Sequence, residues 1–122
     1  MGAPNKVFSL LGLAMKSGNV VSGEYQTLDA VRKKKAKLVL VSEDASDNTK
    51  KLFFDKCAFY EVPVFSYGTK EDLGRAIGKD LRSSLAVCEV GLATAIKKQL
   101  EMENRALPSH RQHFKKHLIR PV

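Results

Sequence analysis

Apolar residues follow two different spacings, which alternate along the chain. In residues 4–16 they recur three and four positions apart, the spacing of an amphipathic helix, and Gly18 supplies the stop. Pro4 suits the first turn of this helix, because the N–H that proline lacks needs no partner there. The segment Leu38–Val41 is apolar at every position, which is typical of a strand covered on both faces. The pattern therefore predicts an opening helix and a buried central strand.

The remaining predicted elements alternate in the same way. Further strands are predicted over residues 20–21, 62–65 and 84–87. Further helices are predicted over residues 24–34, around residues 52–60, and from about residue 92 onward. Ser46 or Asp44 caps the middle one of these helices, while Thr69 and Asp72 form a capping box that opens a short helix ending at Gly78. Alternating strands and helices indicate an α/β sandwich.

Length and composition fit one globular domain. A chain of 122 residues is large enough for its own hydrophobic core. It has no apolar run of about 18–20 residues that could cross a bilayer, and its first residues lack the features of a signal peptide. We therefore expect a cytoplasmic protein. Cys57 and Cys88 lack metal-ligand or redox-pair spacing, so we expect both to be reduced, small, buried hydrophobic residues.

The positive charge is concentrated near the C-terminus. The whole chain carries +8, and residues 97–122 hold 7 Lys/Arg against 2 Asp/Glu, together with all three histidines. A modest positive balance can simply aid solubility. The density of this segment instead favours attraction to a polyanion through phosphate contacts and counterion release. Residues 106–122, which follow the last predicted helix, are interpreted as a basic C-terminal tail.

Motifs for enzymatic chemistry are absent from the sequence. It contains no phosphate-binding loop, nucleophile elbow or paired Cys-x-x-Cys. The acidic pair Glu43-Asp44 is better explained as a solvated turn leading into a helix than as an acid–base pair. His110, His113 and His117 could share a helical face and hold zinc, but the basic residues among them repel a cation. We expect no catalytic residue, no metal site and no cofactor.

The turn at Ser22-Gly23 leads from a strand into a helix. The first N–H groups of such a helix have no intrahelical partner, and they suit phosphate or the acceptor-rich edge of a base. Glycine at this position lets the backbone of a partner approach closely. Many α/β proteins contain such a turn.

Further motifs resemble a known family. They are Gly23, Asp29-Ala30-Val31, the segment 36–44, Val62-Pro63-Val64, the segment 69–78 and a last strand near Leu85. Together they resemble the kink-turn-binding family of ribosomal proteins, of the L-seven-Ae type, over roughly residues 5 to 100. Within that family the chain resembles the bacterial YlxQ-type members. The resemblance implies a three-layer α/β/α sandwich with a small mixed sheet.

The resemblance also implies a set of RNA-binding residues. In the family, an Asn-Glu pair after the turn glycine contacts sheared G·A pairs, and a lysine follows one turn later. These positions correspond here to Tyr25, Gln26 and Asp29. The alternatives are a helix-surface aromatic for Tyr25 and a first-turn dipole partner for Asp29. An apolar residue and an arginine of the loop before the last strand correspond to Leu81 and Arg82.

The full candidate set adds the neighbours of these residues, namely Gly23, Glu24 and Ser83. We expect a noncatalytic, ribosome-associated RNA-binding protein, with its RNA-binding domain in residues 1–105. Its partner would be a structured RNA, ribosomal or kink-turn-like, with no membrane or small-molecule substrate, and the protein would be a monomer. One alternative is a protein-interaction module on the same scaffold. Another is the recognition unit of an RNA-modifying enzyme.

Overall fold

The computed structural model describes residues 5–105, with side chains as far as residue 103. Five helices lie in this part of the chain: α1 (Lys6–Lys16), α2 (Glu24–Arg32), α3 (Asp47–Tyr60), α4 (Lys70–Ala76) and α5 (Val90–Arg105). Four strands separate them: β1 (Val20–Ser22), β2 (Leu38–Val41), β3 (Val64–Ser66) and β4 (Ser84–Val87). Residues 106–122, interpreted above as a basic tail, lie outside the described residues, as do His110, His113 and His117.

The four strands form one small mixed sheet in the order β1-β4-β2-β3. Strands β2 and β3 are parallel, whereas β4 runs antiparallel to both of its neighbours, β1 and β2. In the central pair, Leu38 lies opposite Val87 and Val41 lies opposite Ser84. The C-terminal ends of β1 and β2 therefore lie beside the N-terminal end of β4.

Side chains from the two faces of the sheet enter two separate cores. Leu38 and Leu40 pack with residues of α1, α4 and α5, whereas Val39 and Val41 pack with residues of α2 and α3. This division follows from the period of two along a strand, which sends alternate side chains to opposite faces. All four residues of β2 are fully buried. The predicted α/β sandwich, with its small mixed sheet between two helical layers, is confirmed.

Two helix ends differ from the sequence prediction. The first helix begins at Lys6 rather than at residue 4, because the Asn5 side chain caps it by accepting the Phe8 N–H at 3.0 Å. The second helix ends at Arg32 rather than at residue 34, since Lys34 has a left-handed φ of 61° that a helix does not allow. Pro4, on which the predicted start was based, therefore precedes the helix and its cap.

The residues proposed as caps divide between two helices. Ser46 caps α3 by accepting the Thr49 N–H at 3.1 Å. Asp44 does not cap α3 and instead accepts the N–H of Lys70, the first residue of α4, at 2.9 Å. The Thr69 and Asp72 capping box of α4 is present as predicted. Asp44 therefore joins the end of the central strand to α4.

The third strand is shifted along the chain from its predicted position. It begins at Val64, not at residue 62, and it extends to Ser66. Val62 instead donates its N–H to the Cys57 carbonyl at the end of α3 (2.8 Å), and Pro63 has no N–H to donate. The last helix begins at Val90, two residues before its predicted start.

Both cysteines are free thiols, as expected, but their environments differ. Cys57 is fully buried, and this burial raises the pKa of its thiol to about 12. Cys88 is only half-buried, so the expectation of two buried cysteines is wrong for this residue. Within residues 5–105, no helix is long and apolar enough to cross a membrane, and no group of His, Cys, Asp and Glu side chains is placed to hold a metal ion.

Candidate nucleic-acid interface

Helix α2 begins at a glycine that leaves the helix terminus open. Gly23 has φ 92° and ψ 156°, a conformation that is essentially limited to glycine, and it provides no side-chain cap. Its N–H donates to the Ser84 carbonyl at 3.0 Å, which fixes the turn to the start of β4. A β-carbon built on Gly23 would have no atom within 4 Å. The space beside this turn is therefore free for a partner.

The first turn of α2 presents three exposed residues, Glu24, Tyr25 and Gln26. Their backbone N–H groups precede the first intrahelical hydrogen bond, which Thr27 donates to Gly23 at 3.0 Å. Tyr25 is 75% exposed, so its ring contributes little to the packing of the protein. This turn can donate hydrogen bonds to an acceptor and offer a ring for stacking.

The loop between α4 and β4 (residues 77–83) reaches the same turn. Arg82 donates its Nε to the Ser22 Oγ at 2.9 Å, and its Nη1 donates to the Leu81 carbonyl at 3.0 Å. Its backbone N–H donates to the Lys70 carbonyl at 3.1 Å. These bonds hold the guanidinium beside the start of α2, although Ser22 and Arg82 are 60 residues apart in the sequence.

A glycine of α4 sets the path of this loop. Gly74 is buried, and a β-carbon there would overlap the carbonyl oxygen of Asp80. The Lys79 N–H donates to the Gly74 carbonyl at 2.8 Å, which draws the loop against the helix. Leu81 follows directly and is 61% exposed. The close approach of the loop therefore leaves an apolar side chain facing solvent.

A polar groove of about 300 Å³ joins the turn and the loop, and we call it the first-turn groove. It brings together five of the candidate residues: Gly23, Glu24, Leu81, Arg82 and Ser83. Three further lining residues were not among the predicted site residues: Ser22, Thr49 and Ser84. Thr49 comes from α3, and no pattern in the sequence links it to this turn. Ser22 adjoins the turn glycine, which is the one signal that could have drawn attention to it.

The Ser84 hydroxyl is unusual among the lining groups. This side chain is 1% exposed, and its Oγ has no hydrogen-bond partner within the described part of the chain. A buried hydroxyl without a partner is energetically unfavourable.

Three candidate residues do not line the groove. Tyr25 and Gln26 extend the surface along the first turn of α2, next to the groove. Asp29 lies in the second turn, where its carboxylate pairs with the Lys33 ammonium at 3.2 Å. The alternative interpretation of Asp29 as a first-turn dipole partner is therefore wrong. The cation that pairs with Asp29 lies at the C-terminal end of α2.

The fold and the groove define the class of protein, an α/β sandwich with an open polar groove at the start of α2. Residues 5–97 match the pattern of the Ribosomal protein L7Ae/L30e/S12e/Gadd45 family, and the chain belongs to this family. The match covers every described strand and the first half of α5, so it includes the whole surface described above.

The chain is also similar to two named proteins and to one solved structure. A Bacillus subtilis (strain 168) protein named RNA-binding protein YlxQ is 46% identical over 89 residues, or 73% of this chain and 89% of its own length. An Enterococcus faecium protein of the same name is 39% identical over 100 residues, covering 82% and 96%. A Bacillus halodurans C structure, described as a protein with unknown function, has a TM-score of 0.78 and 38% identity, covering 80% and 99%. None of these names is that of an enzyme.

Proposed function

We propose that this protein is a noncatalytic, ribosome-associated RNA-binding protein that recognises a structured, kink-turn-like RNA at the first-turn groove and the adjoining first turn of α2. The observation that carries the proposal is the hydrogen bond from the Arg82 guanidinium to Ser22, which fixes a cation beside an uncapped helix N-terminus. The name RNA-binding protein, given to two similar YlxQ proteins, supports the same function. The ribosomal family name supports the association with ribosomes.

The chemistry of the surface suits an irregular RNA. The N–H groups of the first turn and the Gln26 amide can bond to base edges, since the amide both donates and accepts. The Arg82 guanidinium can bond to a phosphate or to a guanine edge. Tyr25 and Leu81 are exposed and offer contact surface to an unstacked base. Side chains cannot read the deep major groove of a uniform RNA duplex, so we propose a kinked or looped element as the target.

Tyr25, Gln26 and Asp29 depart from the family residues that contact sheared G·A pairs. Gln26 retains an acceptor but adds a donor. Asp29 places a carboxylate where the family has a cation, and Lys33 pairs with that carboxylate. We propose that binding to kinked RNA survives these differences, because the first-turn N–H groups and Arg82 do not depend on them.

The test compares a labelled kink-turn RNA with a straight duplex of the same length and composition, using the full chain. The kink-turn RNA should bind more tightly. Arg82→Ala should weaken this binding, whereas Lys98→Ala, which removes one charge from an exposed position on α5, should leave it nearly unchanged. Equal affinity for both RNAs would contradict kink-turn recognition. Failure to bind either RNA would contradict the RNA-binding function and favour a protein-interaction module.

We also propose that a monomer suffices for binding, because all residues of the first-turn groove come from one chain. Sedimentation of the protein with and without the kink-turn RNA measures the stoichiometry. One chain per RNA is expected, and a dimer in the absence of RNA would contradict this part of the proposal.

A further inference from the structure

A second groove lies at the opposite ends of the strands, where α2 and α3 end and α5 begins. Its volume is about 340 Å³. Its cationic lining consists of Lys34, Lys37 and Lys97, and we call it the lysine groove. Helix α2 has nine residues and is therefore about 13 Å long, with the two grooves at its opposite ends. The two grooves share no lining residue and are separate surfaces.

The lysine groove is electropositive beyond what α2 requires. Residues 32–37 contain five cations and no acid. A basic residue complements the negative end of a helix only within its last turn, which Arg32 and Lys33 already do. Lys34 has a φ of 61°, a conformation that glycine adopts at lower energy, and Lys35 and Lys37 lie beyond the helix. Helix stability alone therefore does not account for these lysines.

The nearby acidic groups reduce this charge only in part. Within the lining, Glu61 is the one acidic residue among those described. Lys97 pairs with Glu101 at 2.9 Å on α5. The Lys37 ammonium donates to the Lys34 carbonyl oxygen at 3.4 Å, a contact that leaves its charge uncompensated. The groove is therefore complementary to an anion.

Apolar and aromatic groups lie between these cations. Val62, Pro63 and Ala93 line the groove, and Val90 is 60% exposed at its edge. Among residues 5–103, Tyr60 is the one aromatic residue of the lining, and its ring meets the Phe59 ring edge-on, with centroids 4.8 Å apart. Surfaces that bind single-stranded nucleic acid combine backbone-tracking cations with rings on which bases stack. An acidic peptide would use the lysines but has no need of an aromatic residue beside them.

We propose that the lysine groove is a second RNA-contacting site, which takes an unpaired nucleotide and its flanking phosphates. This inference rests on the proposed function, since it assigns the second contact to an RNA already held at the first-turn groove. The volume is near the lower limit of ordinary ligand pockets, roughly 300 Å³, so it suits a nucleotide rather than a helix. The protein then contacts a structured element at one end of α2 and a single strand at the other.

The test uses the full chain with two labelled kink-turn RNAs, one blunt and one with a single-stranded extension of roughly ten uridines. The extension should raise the affinity of the native protein by roughly tenfold, which corresponds to one stacked base and its phosphate contacts. In Lys34→Glu/Lys37→Glu the two RNAs should bind equally, with the affinity for blunt RNA retained. The control Lys6→Glu/Lys98→Glu makes the same change in net charge at exposed positions outside both grooves and should keep the tenfold difference.

Additional measurements keep the outcomes distinct. Lys97→Glu changes the groove from α5 and leaves residues 34–37 intact. This variant should lose part of the affinity that the single-stranded extension adds. Circular dichroism checks the fold of each variant. If the native protein binds blunt and extended RNA equally, the second site is wrong and the first stands. If it binds neither, the proposed function fails as well. Binding of oligoglutamate but not oligouridine, lost in Lys34→Glu/Lys37→Glu, would assign the groove to an acidic protein segment and overturn the proposal.

Discussion

Arg82 donates a hydrogen bond from its Nε to the Ser22 Oγ at 2.9 Å, and this contact joins the loop before β4 to the turn before α2. A guanidinium keeps several further donors after making one such bond. The serine therefore orients the cation without neutralising it, and the remaining donors are available to an RNA phosphate or base.

Substitutions of Arg82 and of Ser22 should both weaken RNA binding, but to different extents. Arg82→Ala should lower the free energy of kink-turn binding by about 1–3 kcal/mol and flatten its salt dependence, because a cation is lost. Ser22→Ala should have a smaller effect and leave the salt dependence unchanged, since it only frees the side chain. Filter binding across a salt series measures both, and a double-mutant cycle gives the coupling. Additive effects of the two changes would mean that Ser22 does not orient Arg82 for binding.

The turn glycine has a matched control elsewhere in the chain. Gly23→Val should lower the free energy of unfolding by about 1–3 kcal/mol, because valine is strained at φ 92°, and should also weaken RNA binding by blocking the approach. Gly18→Val places the same side chain at φ 78°, also with no atom within 4 Å, but in the turn after α1. It should reduce stability with no effect on RNA affinity. Urea unfolding and binding titrations separate the two. Equal effects of both substitutions on RNA affinity would mean that Gly23 supports the fold and has no separate role in RNA binding.

The parts of the fold that the sequence predicted well are those set by local chemistry. The bounds of the second and fourth strands and the capping box at Thr69 agree with the structure, because apolar runs and cap side chains act over a few residues. The predicted start of the third strand does not agree with the structure, since the Val62 N–H is bonded to the end of the preceding helix. The contact between Ser22 and Arg82, and the presence of Thr49 in the same groove, depend on tertiary packing. No spacing in the sequence could have revealed them.

Two helical glycines should respond oppositely to alanine. Gly74→Ala should lower the free energy of unfolding by about 1–3 kcal/mol and weaken RNA binding, because the new methyl group displaces Asp80 and the loop that carries Leu81 and Arg82. In α1, the β-carbon of Gly12→Ala would lie 3.5 Å from the Ala76 carbonyl oxygen, an ordinary contact. That change should stabilise the protein by up to about 1 kcal/mol without altering RNA affinity. Thermal unfolding and binding assays test both, and unchanged RNA binding in Gly74→Ala would show that the loop position is unimportant.

Glu89 should make part of the stability dependent on pH. Its carboxylate accepts the N–H groups of Leu92 (2.7 Å) and Gly91 (2.9 Å) at the start of α5, and these bonds hold its pKa below the usual 4.5. A lowered folded-state pKa gives stability that is present above pH 4.5 and lost as the pH falls through the folded value. Glu89→Gln should therefore be less stable than the native protein at neutral pH, and the difference should shrink in acid. Urea unfolding at a series of pH values measures this. Asp80→Asn, at an exposed position of the loop before β4, is the control, and the same pH response in both variants would contradict the assignment.

Restoring the family residues on α2 should sharpen RNA selectivity. Asp29→Lys replaces the carboxylate that pairs with Lys33 by a cation, which should strengthen RNA binding by about 1–2 kcal/mol if the side chain faces phosphate. Asp55→Lys makes the same charge change in a comparable pair with Lys51 on α3 and should have a smaller effect. Adding Gln26→Glu and Tyr25→Asn supplies the acceptor and the compact amide of the family, so this triple variant should favour kink-turn RNA over duplex more strongly than Asp29→Lys alone. Competition titrations with the two RNAs give the ratio. If the triple variant gains affinity for both RNAs equally, the start of α2 does not read the kink, and recognition must depend on the loop that carries Arg82.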